Sequence, residues 1–164
     1  MVSIAVVGHA MSGKTHLCMM IAGLQDNSPH LYADTCSTSF LKVDVNRVPW
    51  HIWDTPSYEE NSWIADNVVS EANIVIICHD GSRSHDPCHL IQRFGADRCM
   101  IALTRTYMAG NDLTWVIPYM RCTTSAGTLV PVINAFQSAD ALISAVCAHP
   151  LAKPKGLDAA DVFA

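Results

Sequence analysis

Basic charge, long apolar stretches and paired cysteine spacings are all missing from this sequence, and each absence removes a class of function. Ten Lys and Arg stand against 15 Asp and Glu, a formal charge of −5, and no basic run gathers anywhere. Nucleic acid and an acidic membrane surface are therefore not expected partners. Apolar runs such as IVIIC at 74–78 are far too short to span a bilayer. The opening residues MVSIAVVGHA lack the basic region of a signal peptide. Seven cysteines are an odd number without paired spacing, which reads as free thiols in a reducing compartment and not as a disulfide framework. Internal repeats and low-complexity tracts are also absent. A single cytoplasmic domain is expected, because 164 residues would make two domains cramped and half of them are hydrophobic.

What is present alternates. SIAVVG (3–8), NIVIIC (73–78) and MIALT (100–104) read as strands buried on both faces, as in parallel sheets. TSFLKVDV (38–45), Asn46, Arg47 and then PWHIW (49–53) read as a hairpin at the sheet edge. Helices are expected over 14–24, 59–71, 86–94 and 129–147. The last carries an apolar stripe at helical spacing, with Pro131 in its first turn where a missing N–H costs little. This is an α/β doubly wound pattern over residues 1–148. The two prolines and the glycine of 149–164 mark a loose tail.

Chemistry concentrates at the first strand end. Gly8, His9, Ala10, Met11, Ser12, Gly13, Lys14 and Thr15 satisfy G-x-x-x-x-G-K-[ST], between a buried strand and a helix that continues through His16. In such a loop the backbone N–H groups and the helix N-terminus face phosphates, where the helix dipole favours negative charge. Lys14 reaches the β and γ phosphates and stabilises charge there if turnover occurs, and the Thr15 hydroxyl binds Mg²⁺. The other reading of the loop is a glycine-rich turn with a solvated lysine.

Further segments follow in an order that resembles the Ras- and Rab-like small GTPases. HIWDTPSYEE (51–60) is similar to their W-D-T-A-G-Q-E, and IPYMRCTTSAG (117–127) to their I-P-Y…T-S-A-K with two residues inserted. PVINAF (131–136) resembles the start of their final helix, and DTCSTSFLKV (34–43) their first switch. The resemblance implies a three-layer P-loop NTPase fold. Its six-stranded sheet is mostly parallel, with one antiparallel edge hairpin. It also implies GTP or GDP with Mg²⁺ as ligands. Asp54 would hold Mg²⁺ through water, Thr35 (or Thr38) would close over the metal and γ-phosphate, and the backbone of Ser125 and Ala126 would touch guanine. An effector or complex-partner protein would meet the switch region near 35–40 and 58–63, flanked by Trp50, Trp53 and Trp63, of which Trp53 is expected in the core and Trp63 exposed.

Several positions depart from that pattern. Ser57 replaces the glycine of D-x-x-G whose N–H meets the γ-phosphate, which puts the two-state switch in question. Tyr58 replaces the glutamine that orients the attacking water, and Ala10 a loop glycine beside the γ-phosphate. Where N-K-x-D should read guanine, the chain has Thr104, Arg105, Thr106 and Tyr107, with no carboxylate. Asn111 and Asp112 are a displaced substitute or an ordinary turn. Too few residues follow Thr104 for a full crossover helix, so the family's fourth helix is expected to be reduced or absent. The tail carries no cysteine for lipid attachment, and no direct membrane anchor is expected. The functional expectation is a guanine-nucleotide-binding interaction module with weak or absent hydrolysis. The alternatives are a nucleotide-free pseudo-GTPase scaffold and an ATP- or unspecific NTP-binding protein. Cys78, His79, His85, Cys88 and His89 lie close in sequence, but their spacing matches no closed zinc pattern.

Overall fold

The computed structural model describes residues 1–23, 38–81, 86–104 and 122–152. Six strands form one sheet in the order β2-β3-β1-β4-β5-β6. They are β1 (Val2–Gly8), β2 (Ser39–Val45), β3 (Val48–Asp54), β4 (Ile74–His79), β5 (Cys99–Leu103) and β6 (Val132–Asn134). All neighbours are parallel except β2 and β3. The expected α/β fold with an antiparallel edge hairpin is what forms.

The strand pattern explains the layers. Side chains alternate across β1, so Ile4 and Val6 enter one core and Ala5 and Val7 the other. The first core is closed by α1 (Lys14–Ile21) and α4 (Asp140–Ala148), through Leu17, Ile21, Leu142 and Val146. The second is closed by α2 (Tyr58–Glu71) and α3 (Cys88–Phe94), through Ala65, Val69, Leu90 and Ile91. At the hairpin turn both Asn46 and Arg47 have positive φ, 51° and 66°. Two such residues in succession match the right-handed twist of the strands they join.

The helix expected over 129–147 is a correction. Residues 132–134 form β6, which pairs with Ile101, Ala102 and Leu103, and α4 starts only at Asp140. Pro131 sits before the strand, where its carbonyl accepts from Ile101 N–H at 2.8 Å. Without an N–H, Pro131 suits a strand start as well as a helix start, and pairing with the buried β5 decides between them. Helix returns once the Ser138 hydroxyl accepts from Asp140 N–H at 3.1 Å. The folded unit also runs past 148, because a 3₁₀ turn at Pro150–Ala152 packs Ala152 into the first core. The expectation of a reduced fourth helix falls on 105–121, outside the described residues.

Arg98, between α3 and β5, ties two helix ends together. Its Nε donates to Phe94 O at 2.7 Å and its Nη1 to Val69 O and Ala72 O, both at 2.9 Å. These carbonyls lie at the C-terminal ends of α3 and α2, where a cation suits them, and Val69 O also accepts from Ala72 N–H at 3.2 Å. Arg98→Ala is expected to lower the unfolding free energy by about 2 kcal/mol, read from the urea midpoint. An unchanged midpoint would show that water serves those carbonyls as well.

Candidate functional site

The loop between β1 and α1 is held in shape from beneath. Gly8 has φ 154°, and a Cβ there would lie 2.7 Å from the Cys78 carbonyl oxygen and 2.8 Å from Ser12 Oγ. Gly13 has φ 87° and sits against Thr104, whose side-chain atoms would be 3.1–3.3 Å from an added Cβ. Thr104 itself is buried and donates its hydroxyl to Ser12 O, linking the end of β5 to the loop. Thr104 is thus a brace beneath the loop. Arg105, expected beside it, lies outside the described residues.

Lys14 opens α1 and is 6% exposed, with Nζ donating to His9 O at 2.7 Å and reaching Ser12 Oγ at 3.5 Å. An ammonium folded over its own loop carries a positive charge where the loop backbone and the first turn of α1 converge. His9 is buried behind the loop, with Nε2 3.3 Å from Asp80 Oδ2 and its ring edge-on to His79. His16 is exposed on α1, and Ala10 is half-buried. Met11 is exposed and has φ 57°, a left-handed conformation that costs any side chain bearing a Cβ. Met11→Gly is therefore expected to raise the unfolding free energy by about 0.5 kcal/mol or more, measured by thermal denaturation without nucleotide. A loss of stability would contradict the strain.

Asp54, the last residue of β3, meets the loop from the neighbouring strand. Its Oδ2 accepts from the Thr15 hydroxyl at 2.6 Å, while its Oδ1 is buried and has no hydrogen-bond partner among the described residues. Burial raises its carboxyl above the ordinary value, although the Thr15 hydrogen bond and the Lys14 charge pull the other way. Two more buried hydroxyls lack partners among the described residues: Ser57 Oγ just before α2 and Thr38 Oγ1 just before β2. Thr38 directly precedes Ser39, which pairs with Asp54, so it stands beside the carboxylate strand end. Thr35, the first-choice closing residue, lies outside the described residues. Ser57 adopts φ −56° and ψ 135°, an ordinary extended conformation, so the loss of glycine strains nothing in this arrangement.

Tyr58 lines a cavity together with Gly8 and His9, and its hydroxyl points into the seam between α2 and α3. Its hydroxyl lies 3.4 Å from Asp66 Oδ1, and its ring packs edge-on against Phe94 of α3. Asp66 in turn receives a two-pronged contact from Arg93 at 2.9 and 2.6 Å. This seam between α2 and α3 fixes the Tyr58 side chain.

Ser125 and Ala126 are placed elsewhere than expected. They lie in a turn of the small hairpin closed by the Thr123–Leu129 bridge, and Ser125 N–H bonds Asp97 Oδ1 at 2.6 Å. Asp97 precedes β5, whereas the phosphate loop touches the far end of β5 through Thr104. The pair therefore lies by the N-terminal end of β5, opposite the end that meets the loop 8–15. The segment at the same end as the loop is the one leaving β6, Asn134 to Phe136, where Ala135 N–H donates to Leu103 O at 2.8 Å. The asparagine–alanine step directly after a short β-branched run was its signal in the sequence.

Among the described residues no group of three or more His, Cys, Asp or Glu side chains is placed to hold a metal, so Cys78, His79, Cys88 and His89 form no zinc site. His85 lies outside the described residues. Trp50 is buried in the first core and no part of a surface, while Trp63 and Phe40 are exposed. No helix among the described residues is long and apolar enough to cross a membrane.

No protein-family model matches this chain, and no curated protein sequence does. Solved structures do. Era, in a complex with MgGDPNP and a segment of 16S ribosomal RNA, is 17% identical with a TM-score of 0.71 over 90% of this chain and 56% of that one. Era of Aquifex aeolicus bound to GDP and AlF4 is 17% identical with a TM-score of 0.70, covering 94% of this chain and 57% of that one. A bacterial selenocysteine-specific elongation factor, EF-Sec, is 16% identical with a TM-score of 0.64, covering 90% and 28%. This chain thus spans little more than half of those Era chains and under a third of the elongation factor. At such identities the likeness shows the fold alone, and it is the fold of the P-loop GTPases.

Proposed function

We propose that the chain binds a guanine nucleotide, GTP or GDP, together with Mg²⁺ at the loop 8–15, and hydrolyses the triphosphate slowly or not at all. The observation that carries this reading is Asp54, buried with one oxygen on the Thr15 hydroxyl and the other without a partner among the described residues. An isolated buried carboxylate is costly, and a hard divalent ion that keeps part of its water shell is the ligand that answers it. Thr15 and Asp54 would hold the ion, and Thr35 or Thr38 would close over it. When bound, Mg²⁺ supplies neutralisation of the charge on the terminal phosphates. Lys14 and the loop amides do the rest, binding and orienting the polyphosphate. The Era structures, which hold guanine nucleotides, favour guanine as the base, and the Asn134–Phe136 segment is the backbone that would flank it.

Slow turnover follows from Tyr58, whose hydroxyl is engaged by Asp66 in the α2–α3 seam and not poised over the loop. A protein that keeps its triphosphate serves best as an interaction module. The exposed side chains of Phe40 and Trp63 supply an aromatic surface of the sort partner proteins bury, and the Phe40 ring packs tilted against Trp53, centroids 4.4 Å apart. RNA is not proposed as a partner, because the net charge is −5. The protein, incubated with equal GTP and ATP plus Mg²⁺ and passed through gel filtration, should release a guanine nucleotide on gentle denaturation, identified by mass. Release of adenine nucleotide alone, or of neither, would overturn the proposal.

A further inference from the structure

Outside the nucleotide loop, two thiols from segments far apart in the chain meet at the α3 surface. Cys88 is the first residue of α3, and Cys122 lies on the segment opposite Val130, whose N–H bonds its carbonyl at 3.0 Å. The Cys122 thiol donates to the Cys88 carbonyl oxygen at 3.9 Å, across 34 positions of sequence, so the two cysteines are direct neighbours. Both are half-buried, so small reagents can reach them. Cys18, Cys78 and Cys99 are buried. We propose that Cys88 and Cys122 form a site of reversible oxidation, closing as an intramolecular disulfide when the protein meets a small disulfide such as oxidised glutathione.

The chemistry balances in two exchanges. The Cys122 thiolate attacks one sulfur of oxidised glutathione, forming a mixed disulfide and expelling one glutathione thiolate. Cys88 then attacks the Cys122 sulfur and expels the second. Two protein thiols lose two protons and two electrons, and the glutathione disulfide is reduced to two thiols. The order follows from surroundings. Burial, with the thiol also donating toward Cys122 and Asp86, pushes Cys88 up to about 12, which suits it to the second attack, where adjacency compensates for a small thiolate fraction. The bond would fix the start of α3, and with it Asp86 and Pro87. Those residues line a cavity of about 300 Å³ that also reaches Gly8 and His9 beneath the phosphate loop.

The test uses the full chain carrying Cys147→Ser, which leaves Cys122 as the only thiol of its tryptic peptide. After incubation with oxidised glutathione, alkylation and digestion, peptide 84–93 should be found joined to peptide 122–155. The Tm should rise by about 5 °C, since the bond closes a loop of intermediate length, and dithiothreitol should reverse the rise. With Cys88→Ser added, Cys122 should carry glutathione instead, with no Tm rise. If Cys88 and Cys122 both stay open to alkylation, or if Cys122 joins Cys99, the proposal is overturned. Cys122→Ser provides the reciprocal variant should Cys88→Ser fail to fold, and must leave Cys88 unmodified.

Discussion

Alanine in place of Lys14 is expected to weaken binding of Mg²⁺–GTP by about 100- to 20,000-fold, because two hydrogen bonds to charged oxygens at about 1.5–3 kcal/mol each are lost. The same change touches the empty protein much less. Lys14 is 6% exposed and its Nζ donates to His9 O and reaches Ser12 Oγ, so removing it sheds a desolvated charge as well as those contacts. Fluorescent-nucleotide titration read beside thermal denaturation separates the two effects. Binding that survives the substitution would mean that the loop is not the phosphate site.

Asp54→Asn is expected to act in opposite directions on the empty and the loaded protein. The Asp54 carboxyl is raised above its ordinary value, chiefly by burial. A carboxyl raised in the folded state contributes stability that is complete below the ordinary carboxylate range and lost as pH rises through the raised value. At neutral pH the ionised side chain therefore burdens the empty fold. Asparagine can still accept from the Thr15 hydroxyl and carries no charge, so the Tm without nucleotide should rise and become less sensitive to mild acid. With Mg²⁺ and GTP the order reverses, since the variant should bind about 100-fold more weakly and gain correspondingly less stabilisation. Scanning fluorimetry from pH 5 to 8, with and without Mg²⁺–GTP, reads both halves. An asparagine variant that binds like the parent would remove Asp54 from the metal site.

Much of the site was legible because local pattern and tertiary role coincide there. The run into Gly8, the glycines at two forced conformations and the Lys14–Thr15 step all belong to one contiguous segment. Asp54 was legible because a strand must end beside β1 for its carboxylate to reach Thr15. The hairpin was legible because Asn46 and Arg47 interrupt two runs of strand-forming residues. Other elements were hidden because the deciding partner lies far along the chain. Residues 130–134 share their apolar content with the helix that follows, and three residues are too few to display a period of two. Only β5 makes them a strand. Ser125 and Ala126 resemble a base-contacting loop through the segment IPYMRCTTSAG, which matches the family pattern only with two residues inserted. The turn they occupy is set by Asp97, whose influence no spacing in the sequence reveals. Nor could Tyr58 be oriented in advance, because its direction depends on Asp66, Arg93 and Phe94 meeting in the α2–α3 seam.

The most direct test of the account is isothermal titration of the purified chain with GTP and GDP, in Mg²⁺ and again in excess chelator. Saturable binding at micromolar affinity or tighter, weakened when Mg²⁺ is removed, is the predicted result. Failure of both nucleotides to bind below millimolar concentration in the presence of Mg²⁺ would contradict it.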